Sequence, residues 1–561
     1  MKQTIGIGIQ DFEKIRTRNI FYVDKTDFIR EWWESNDDVT LITRPRRFGK
    51  TLNMSMTEQF FSLEYAGRGD LFEGLSIWER EEYRGIQGTY PVISLSFAGI
   101  KEDNFRSVRL KTGQFITELF DKYRFLSDWE GLSLKEKEFV KRIDPEMDDY
   151  VATQSLNQLS SYLSRYYGKK VIILLDEYDT PMQEAYVHGY WEELVSFTRS
   201  LFNSTFKTNP YIERGLMTGI TRVSRESMFS DLNNLNVVTT TSNEYATAFG
   251  FTEKEVFAAM DAFGLSKQKE KAKFWYDGFV FGNQPDIYNP WSVINLLDKK
   301  MFGTYWANTS SNSLAGKLIR EGDADVKMAM EDLLKGNSLF TEIDEQIVFN
   351  QLGKKQSAIW SLLVASGYLK VESCRANPVT DRMTYELKLT NREVKIMFEG
   401  MIRDWFYEYT KDYNDFIKAL LLNDKKAMNV YMNRVALSTF SFFDTGKNPS
   451  PASEPERFYH GFVLGLMVDL AGRYQISSNR ESGFGRYDVM LVPEKKEDAA
   501  YILEFKVRDR EDEKSLSETV EEALRQIEEK KYEEEMLSRG IEADRIKKYG
   551  FAFEGKEVLI G

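Results

Sequence analysis

Apolar positions along the chain follow two rhythms: short β-branched runs that read as strands, and longer stretches repeating every three to four residues that read as helices. Val39–Thr43 (VTLIT) is a short buried strand, and the LNMSMTEQFF that begins at Leu52 is a helix. Upstream, FYVDKTDFIREWW gives a strand-like start and then an amphipathic helix with Phe28, Trp32 and Trp33 on roughly one face. Pro91–Phe97 (PVISLSF) is a second strand, and residues 101–168 are mainly helical and polar. The run opening Val171–Pro181 (VIILLDEYDTP) is apolar and β-branched, the pattern of a strand buried on both faces of a parallel sheet. Another strand, ERGLMTGITRVSRES, follows Pro210 and ends in polar residues. Residues 251–300 read as short helices around an aromatic-rich loop assigned to core packing, with a capping box at Thr252 and Glu255. Residues 355–390 give helix, Gly turn and two alternating strands, a small winged-helix-like module. A helical connector runs from Arg392 to about residue 448.

The tail has its own order. Glu454–Leu470 is an apolar helix that begins with Glu454 and Glu456. GRYDVMLVPEKKEDAAYILEFK reads as strand, turn, strand; LSETVEEALRQIEEKKYEEEM is a charged helix with Gln526, Lys530 and Tyr532; YGFAFEGKEVLI is the closing strand. Helix, β-hairpin, strand, helix, strand is the order of a PD-(D/E)xK nuclease core. The acidic run after Asp509 is a solvated helix face with i, i+4 charge pairs.

Between the first strand and its helix stands RPRRFGKT. In a strand–loop–helix arrangement, successive N–H groups and the helix N-terminus cradle polyphosphate. Arg47, Phe48, Gly49, Lys50, Thr51 and Leu52 are therefore candidate nucleotide-binding residues, with Lys50 reaching the β- and γ-phosphates and Thr51 ligating Mg²⁺. Arg44 stands where GxxxxGK[ST] has its first glycine, which leaves Gly49 as the permissive backbone position. Tyr22 or Asp24 is a candidate for the adenine pocket, with plain packing as the alternative. Asp176 and Glu177 close the third strand: Asp176 to hold Mg²⁺ through water, Glu177 to polarise the attacking water. Beyond Thr218, either Thr221 or Arg222 is the candidate γ-phosphate sensor. Arg225 is a candidate finger onto a phosphate, in cis or from a neighbouring subunit. The alternative for these arginines is capping of a strand–helix turn.

In the tail, Glu504 and Lys506 stand two apart on one strand and share a face, and in a paired hairpin Asp488 can lie beside them. Two carboxylates with an adjacent lysine can bind a divalent metal and position a deprotonated water against a phosphodiester. That chemistry needs neither His nor Cys. The chain has two histidines, His188 and His460, which excludes a multi-histidine zinc site and disfavours a His-based triad. One cysteine, Cys374, permits no intrachain disulfide, and the N-terminus lacks the apolar core of a signal peptide, so a cytoplasmic protein is expected. No run approaches the ~20 apolar residues that span a bilayer. A net charge of −13 argues against a general nucleic-acid coat while leaving room for a local basic groove. The length of 561 residues suits two to four domains.

RPRRFGKT, YVDKT, LLDEYDTP, FGFTEKEV and YNPWSVINLL resemble the bacterial AAA-ATPase-like proteins that carry a C-terminal PD-(D/E)xK domain, and SNRESGFGRYDVML, ILEFKV, EEALRQIEEKKY and GFAFEGKEV look like that domain. The resemblance covers nearly the whole chain and is weakest across 101–168 and 392–450. It implies an α/β fold: a P-loop NTPase (ASCE/AAA-like) parallel sheet core at 1–250, a lid and winged-helix-like region at 251–390, a helical connector at 391–450, and a PD-(D/E)xK nuclease-like α/β domain at 451–561. It makes Lys50 and Thr51 the Walker A pair, Asp176 and Glu177 the Walker B acids, and Asp488, Glu504 and Lys506 the nuclease triad. Glu456 becomes an auxiliary helix-borne carboxylate, and Gln526 flanks the site. ATP and Mg²⁺ are the implied cofactors and DNA the implied partner, with no membrane association and with homo-oligomers allowed. The expected function is an ATP-regulated, Mg²⁺-dependent nuclease. The alternatives are a nucleotide-dependent switch whose tail binds nucleic acid or protein without cutting, and an ATPase with a structural tail.

Overall fold

A computed structural model of the chain describes residues 3–222, 232–307, 313–344, 352, 355–376, 378, 381–405, 410–443, 453–479, 487–495, 497–509, 512–531, 533–554 and 557–561. They fall into two compact units: Met1–Ser311 with Ser338–Val394, and Asn312–Asn337 with Lys395–Gly561. This division is coarser than segmentation at 250, 390 and 450, and it assigns 312–337 to the unit that holds the tail. The sequence grouped that segment with its neighbours. Yet helix Ala324–Lys335 buries Val326, Met330 and Leu333, a stripe that needs a helical partner in its own unit.

The first unit is built on five parallel strands, β1 (Val39–Thr43), β2 (Val92–Ser96), β3 (Val171–Asp176), β4 (Ile212–Gly219) and β5 (Leu235–Val238), in the order β2-β3-β4-β1-β5. Every residue of β1 and β3 is buried, as expected of strands covered by helices on both faces. The order sets β4 between β1 and β3, so its polar end falls between the two strand ends that carry the candidate chemistry. Helix α1 (Asp27–Glu34) buries Phe28, Ile29 and Trp32, and its half-buried Trp33 packs on Phe61 with ring centroids 5.0 Å apart. Full burial of a side chain as large as Trp32 contributes roughly 2–3 kcal/mol, and its indole N–H is matched by Thr40 Oγ1 at 3.2 Å. Helix α2 (Lys50–Phe61) follows the loop after β1 and is buried on most of its circumference.

Helix α3 (Thr180–His188) begins four residues after β3 ends. Strands β6 (Phe279–Phe281) and β7 (Gln284–Tyr288) form a hairpin, and β7 also pairs with the short strand Phe251–Thr252. The capping box forms as read: Thr252 Oγ1 accepts from the Glu255 amide and Glu255 accepts from the Thr252 amide. The aromatic residues of this region do pack, with Phe251, Tyr276 and Tyr288 buried against Val256 and against Leu296 of α4 (Pro290–Lys299). Strand β8 (Leu339–Thr341), helix α5 (Gln356–Ala365), β9 (Leu369–Ala376) and β10 (Met383–Leu389) complete the unit as a three-stranded antiparallel sheet in the order β9-β10-β8. Every residue of α5 from Ala358 to Val364 is buried, so this stretch offers no face to solvent.

Helix α6 (Arg392–Asp404) starts in the first unit and continues in the second. The second unit contains α7 (Ser453–Asp469) and a sheet of β11 (Tyr474–Asn479), β12 (Tyr487–Pro493), β13 (Ala500–Val507), β14 (Ile546–Glu554) and β15 (Glu557–Ile560). The strands lie in sequence order; β13 and β14 are parallel and the other pairs antiparallel. The parallel step is made by a crossover through α8 (Leu516–Glu529). One face packs Met490, Val492, Ala500 and Ile502 with Ile527 of α8, and the other stacks Phe505 on Phe551 at 4.7 Å. Sequence reading missed β11, whose YQISSN has little apolar alternation, and merged β14 and β15 into one strand. Among the described residues no helix is long and apolar enough to cross a membrane.

Candidate functional site

In the loop between β1 and α2 the carbonyls of Arg44, Pro45, Arg46 and Phe48 are matched. Lys50 Nζ donates to the Arg44 and Pro45 carbonyls, both at 2.9 Å. The Arg46 carbonyl accepts from Trp306 Nε1 at 3.0 Å and Asn289 Nδ2 at 3.3 Å, and the Phe48 carbonyl accepts from the Gly250 amide at 3.2 Å. Among the described residues the N–H groups of Arg46 to Thr51 have no protein acceptor. A row of free N–H groups opening into a helix N-terminus is an anion-binding concavity. Gly49 takes the left-handed conformation at φ 85°, as the sequence required, and Arg47 takes it too, at φ 65°. Gly49 is thus not the sole left-handed position. Arg47 costs about 1 kcal/mol there, and its guanidinium stacks on Trp291 at 4.4 Å.

Arg44 explains itself once folded. Fully buried, it donates to the carbonyls of Thr43, Thr239, Glu244 and Tyr245 at 2.6–3.5 Å and lies over the Phe281 ring at 4.7 Å. A glycine here would remove the guanidinium from all four, leaving the Thr239 and Tyr245 carbonyls only the amides of Ser242 and Ala248. Burial lowers the Arg44 pKa to about 9, with Glu244 opposing, so it stays charged at neutral pH.

At the mouth of the loop, Asp176 Oδ2 accepts from Thr51 Oγ1 at 2.7 Å, and Asp176 Oδ1 accepts from Thr218 Oγ1 of β4. Burial raises the Asp176 pKa while the two hydroxyls oppose the shift. Burial also pushes Lys50 down, against the pull of Glu177, Asp176 and Asp179. Glu177 leaves the strand in the left-handed region, φ 51°, and accepts from Thr180 Oγ1 at 3.2 Å. Asp179, which is 1% exposed, accepts from the amides of Ile220 and Thr221 and from Thr221 Oγ1 at 2.7 Å. Gly219 makes this approach feasible, because a Cβ there would stand 2.6 Å from the Tyr178 ring and 2.8 Å from Asp179 Oδ1.

In the second unit, the β12–β13 register sets Asp488 opposite Glu504. Glu504 is fully buried and, among the described residues, neither of its oxygens has a hydrogen-bond partner. Lys506 Nζ donates to Glu522 Oε1 of α8 at 3.1 Å. Gln526, one turn further along α8, is 5% exposed with its amide nitrogen unmatched. A buried carboxylate and a buried amide donor that lack partners each cost free energy without a ligand, so both groups suit a site built for a cation and a phosphate.

Comparison with known proteins agrees with both halves. Residues 6–229 match the family described as "predicted AAA-ATPase", and residues 454–561 match the PD-(D/E)XK nuclease superfamily. The chain pairs an AAA-ATPase-like domain with a PD-(D/E)XK superfamily domain. It is 24% identical over 549 residues to an uncharacterized protein in the vnfD 5′ region of Azotobacter chroococcum mcd 1, covering 96% of this chain and 95% of that protein. Among solved structures, the ORC2 protein of Aeropyrum pernix, in its ADPNP-ADP complexes, aligns with 67% of this chain and 92% of its own at 10% identity. Its TM-score is 0.23, too low to bear on fold or function.

The AAA-ATPase-like domain brings Lys50, Thr51, Asp176 and Glu177 to one place. Thr221 meets that cluster through Asp179, to which its hydroxyl donates, and Thr218 is the hydroxyl that donates to Asp176 itself. Arg222 is half-buried at the same strand exit, and Arg225 lies outside the described residues. The Phe48 side chain packs on Phe279 at 4.8 Å, so only its main chain can serve a ligand, and Leu52 is half-buried in the first turn of α2. Tyr22 and Asp24 belong to packing: Tyr22 OH reaches Met56 Sδ, and Asp24 accepts from Thr26 and from the Ser76 amide. In the nuclease-superfamily domain, Glu504, Lys506 and Gln526 share one side of the sheet with α8. The backbones of Asp488 and Glu456 are placed on β12 and in the first turn of α7, while their side chains, and Tyr532, lie outside the described residues. Sequence reading missed Asp179, Glu522, Asn289 and Trp306. The DEYD and YNPW strings were visible, but nothing in them says which backbone groups they meet.

Proposed function

We propose that the first unit binds and hydrolyses ATP and that its nucleotide state regulates Mg²⁺-dependent cleavage of DNA phosphodiesters by the second. The ATPase half rests on the loop whose Arg44, Pro45, Arg46 and Phe48 carbonyls are matched while, among the described residues, its N–H groups have no acceptor. Those groups would hold the phosphates, and Lys50, now on the Arg44 and Pro45 carbonyls, would turn to the β- and γ-phosphates. Thr51 and Asp176 would hold Mg²⁺, which when bound neutralises phosphate charge. Glu177 orients and polarises water, and Thr218 ties Asp176 to β4, so a shift at the phosphate is felt along that strand.

The nuclease half rests on Glu504, a buried carboxylate without a partner. Glu504 and Asp488 would hold a divalent metal, which lowers the pKa of bound water. Lys506 would orient the water and Gln526 would donate to the phosphodiester. The switch without cleavage draws on one observation, the ion pair that engages Lys506 with Glu522.

The experiment is incubation of linear, circular and single-stranded DNA with Mg²⁺ or Mn²⁺, with and without ATP, beside Lys506→Ala and Lys50→Ala. Cleavage by wild type, absent in Lys506→Ala and insensitive to ATP in Lys50→Ala, is the expected result. Absence of cleavage in every arm refutes the nuclease and leaves the switch.

A further inference from the structure

The YNPW stretch and the junction between the two units carry a network that the proposed chemistry does not use. Glu393 is 1% exposed. Its Oε1 accepts from the amides of Tyr305, Trp306 (2.6 Å) and Ala307 (3.4 Å), and its Oε2 accepts from Ser292 Oγ at 2.8 Å. Ser292 lies in the first turn of α4, whose N-cap Asn289 accepts from the Trp291 and Ser292 amides. Asn289 and Trp306 are also the two donors that hold the Arg46 carbonyl outward. One carboxylate thereby gathers α4 and the 305–307 segment, and both grip the same peptide of the candidate phosphate loop.

The position of Glu393 in the chain adds the second observation. The chain passes from the first unit to the second just after Ser311, and again between Val394 and Lys395 inside α6. Glu393 thus joins the segment approaching the first crossing to the first turn of the helix that makes the other.

We propose that Asn289, Trp306 and Glu393 form a clamp that positions the phosphate loop and links its nucleotide occupancy to the two chain crossings. The physical reason is orientation. A loop peptide can turn its N–H to a phosphate only if its carbonyl is held on the far side, and for Arg46 the clamp supplies both donors. Linkage is reciprocal: whatever holds the Arg46 peptide for nucleotide is in turn held by nucleotide, and with it the amides of 305–307 and the start of α6. This inference rests on the ATPase reading and adds to it the route by which the first unit regulates the second. Asn289, Trp306 and Glu393 are positioning residues, acting through the Arg46 peptide.

The test uses the full chain and the fluorescent nucleotide mant-ATP with Mg²⁺, in wild type, Lys50→Ala, Trp306→Phe, Glu393→Ala and Glu393→Gln. Trp306→Phe removes the indole N–H and keeps an aromatic ring, one smaller than the buried indole. Losing one such hydrogen bond weakens binding about 5-fold. Glu393→Ala weakens it more than 10-fold, and Glu393→Gln recovers most of the loss because its amide oxygen still accepts from the three N–H groups. Amide exchange at 305–307 and 392–396 slows on adding ATP in wild type, and that response is lost in Trp306→Phe. Wild-type affinity in both Trp306→Phe and Glu393→Ala overturns the clamp alone. Absence of mant-ATP binding by wild type overturns the ATPase reading and the clamp with it. Trp306→Phe, which leaves the carboxylate in place, keeps the test decisive where Glu393→Ala fails to fold.

Discussion

Replacing Glu504 by Gln should make the second unit more stable without metal and less stable with it. In the folded chain Glu504 is fully buried and neither oxygen is hydrogen-bonded. A buried polar group left unmatched costs about 1–3 kcal/mol, and a charged one more. Glutamine keeps the shape and removes the charge but remains polar, so the net gain is about 1–2 kcal/mol. For a unit of this size, with about 2–4 °C per kcal/mol, melting in EDTA should rise by about 2–8 °C. Divalent metal reverses the order. At a hundred times its Kd, a ligand specific to the folded state adds about 2.7 kcal/mol, and Glu504→Gln should receive little of it. The assay is thermal unfolding of both proteins in EDTA and in a Mn²⁺ series, followed by a probe of the second unit. If Glu504→Gln melts lower than wild type in EDTA, or if Mn²⁺ raises both equally, Glu504 is not the unpartnered acid of a cation site.

Arg44→Gly restores the first glycine of the general loop pattern, yet it should destabilise the first unit by about 3–5 kcal/mol, because it empties a fully buried site over Phe281 and removes the guanidinium from the carbonyls of Thr239, Glu244 and Tyr245; an unchanged denaturant midpoint would refute the anchoring role. Thr218→Val should leave mant-ATP affinity within about 3-fold while slowing ATP hydrolysis at least 10-fold in steady-state assays, and a loss confined to affinity would place Thr218 in binding instead. Asp277 should make the first unit less stable as pH rises. Burial and the neighbouring Asp286 raise its pKa from 3.8 to about 6, against the pull of Lys273. A carboxyl with a raised folded pKa contributes stability that is complete below about pH 4 and lost as pH climbs through about 6, roughly 1–2 kcal/mol after solvent screening. Asp277→Asn should flatten that slope in pH-dependent unfolding, and an undiminished slope would assign it to other groups.

The sequence by itself determined what local pattern and residue chemistry decide. Val39–Thr43 and Val171–Asp176 are strands because β-branched runs suit a sheet buried on both faces, and Gly49 was marked for a left-handed turn because it lacks a Cβ. Lys50, Thr51, Asp176 and Glu177 could be grouped from the sequence since each stands just past the end of a β-branched run, and parallel strands end on one edge of their sheet. Glu504 and Lys506 were legible because a strand repeats every two residues. Tertiary structure alone decided matters of pairing between distant segments. That β4 enters between β1 and β3 puts Thr218 on Asp176 and gives Thr221 to Asp179, a choice made by strand register and invisible in the order of the letters. Arg44 reads as a defect in a glycine motif until the carbonyls of 239–245 fold around its guanidinium. Asn289, Trp306 and Glu393 stand far apart in sequence and meet through backbone amides and a carbonyl, groups that every residue carries and no side-chain pattern records.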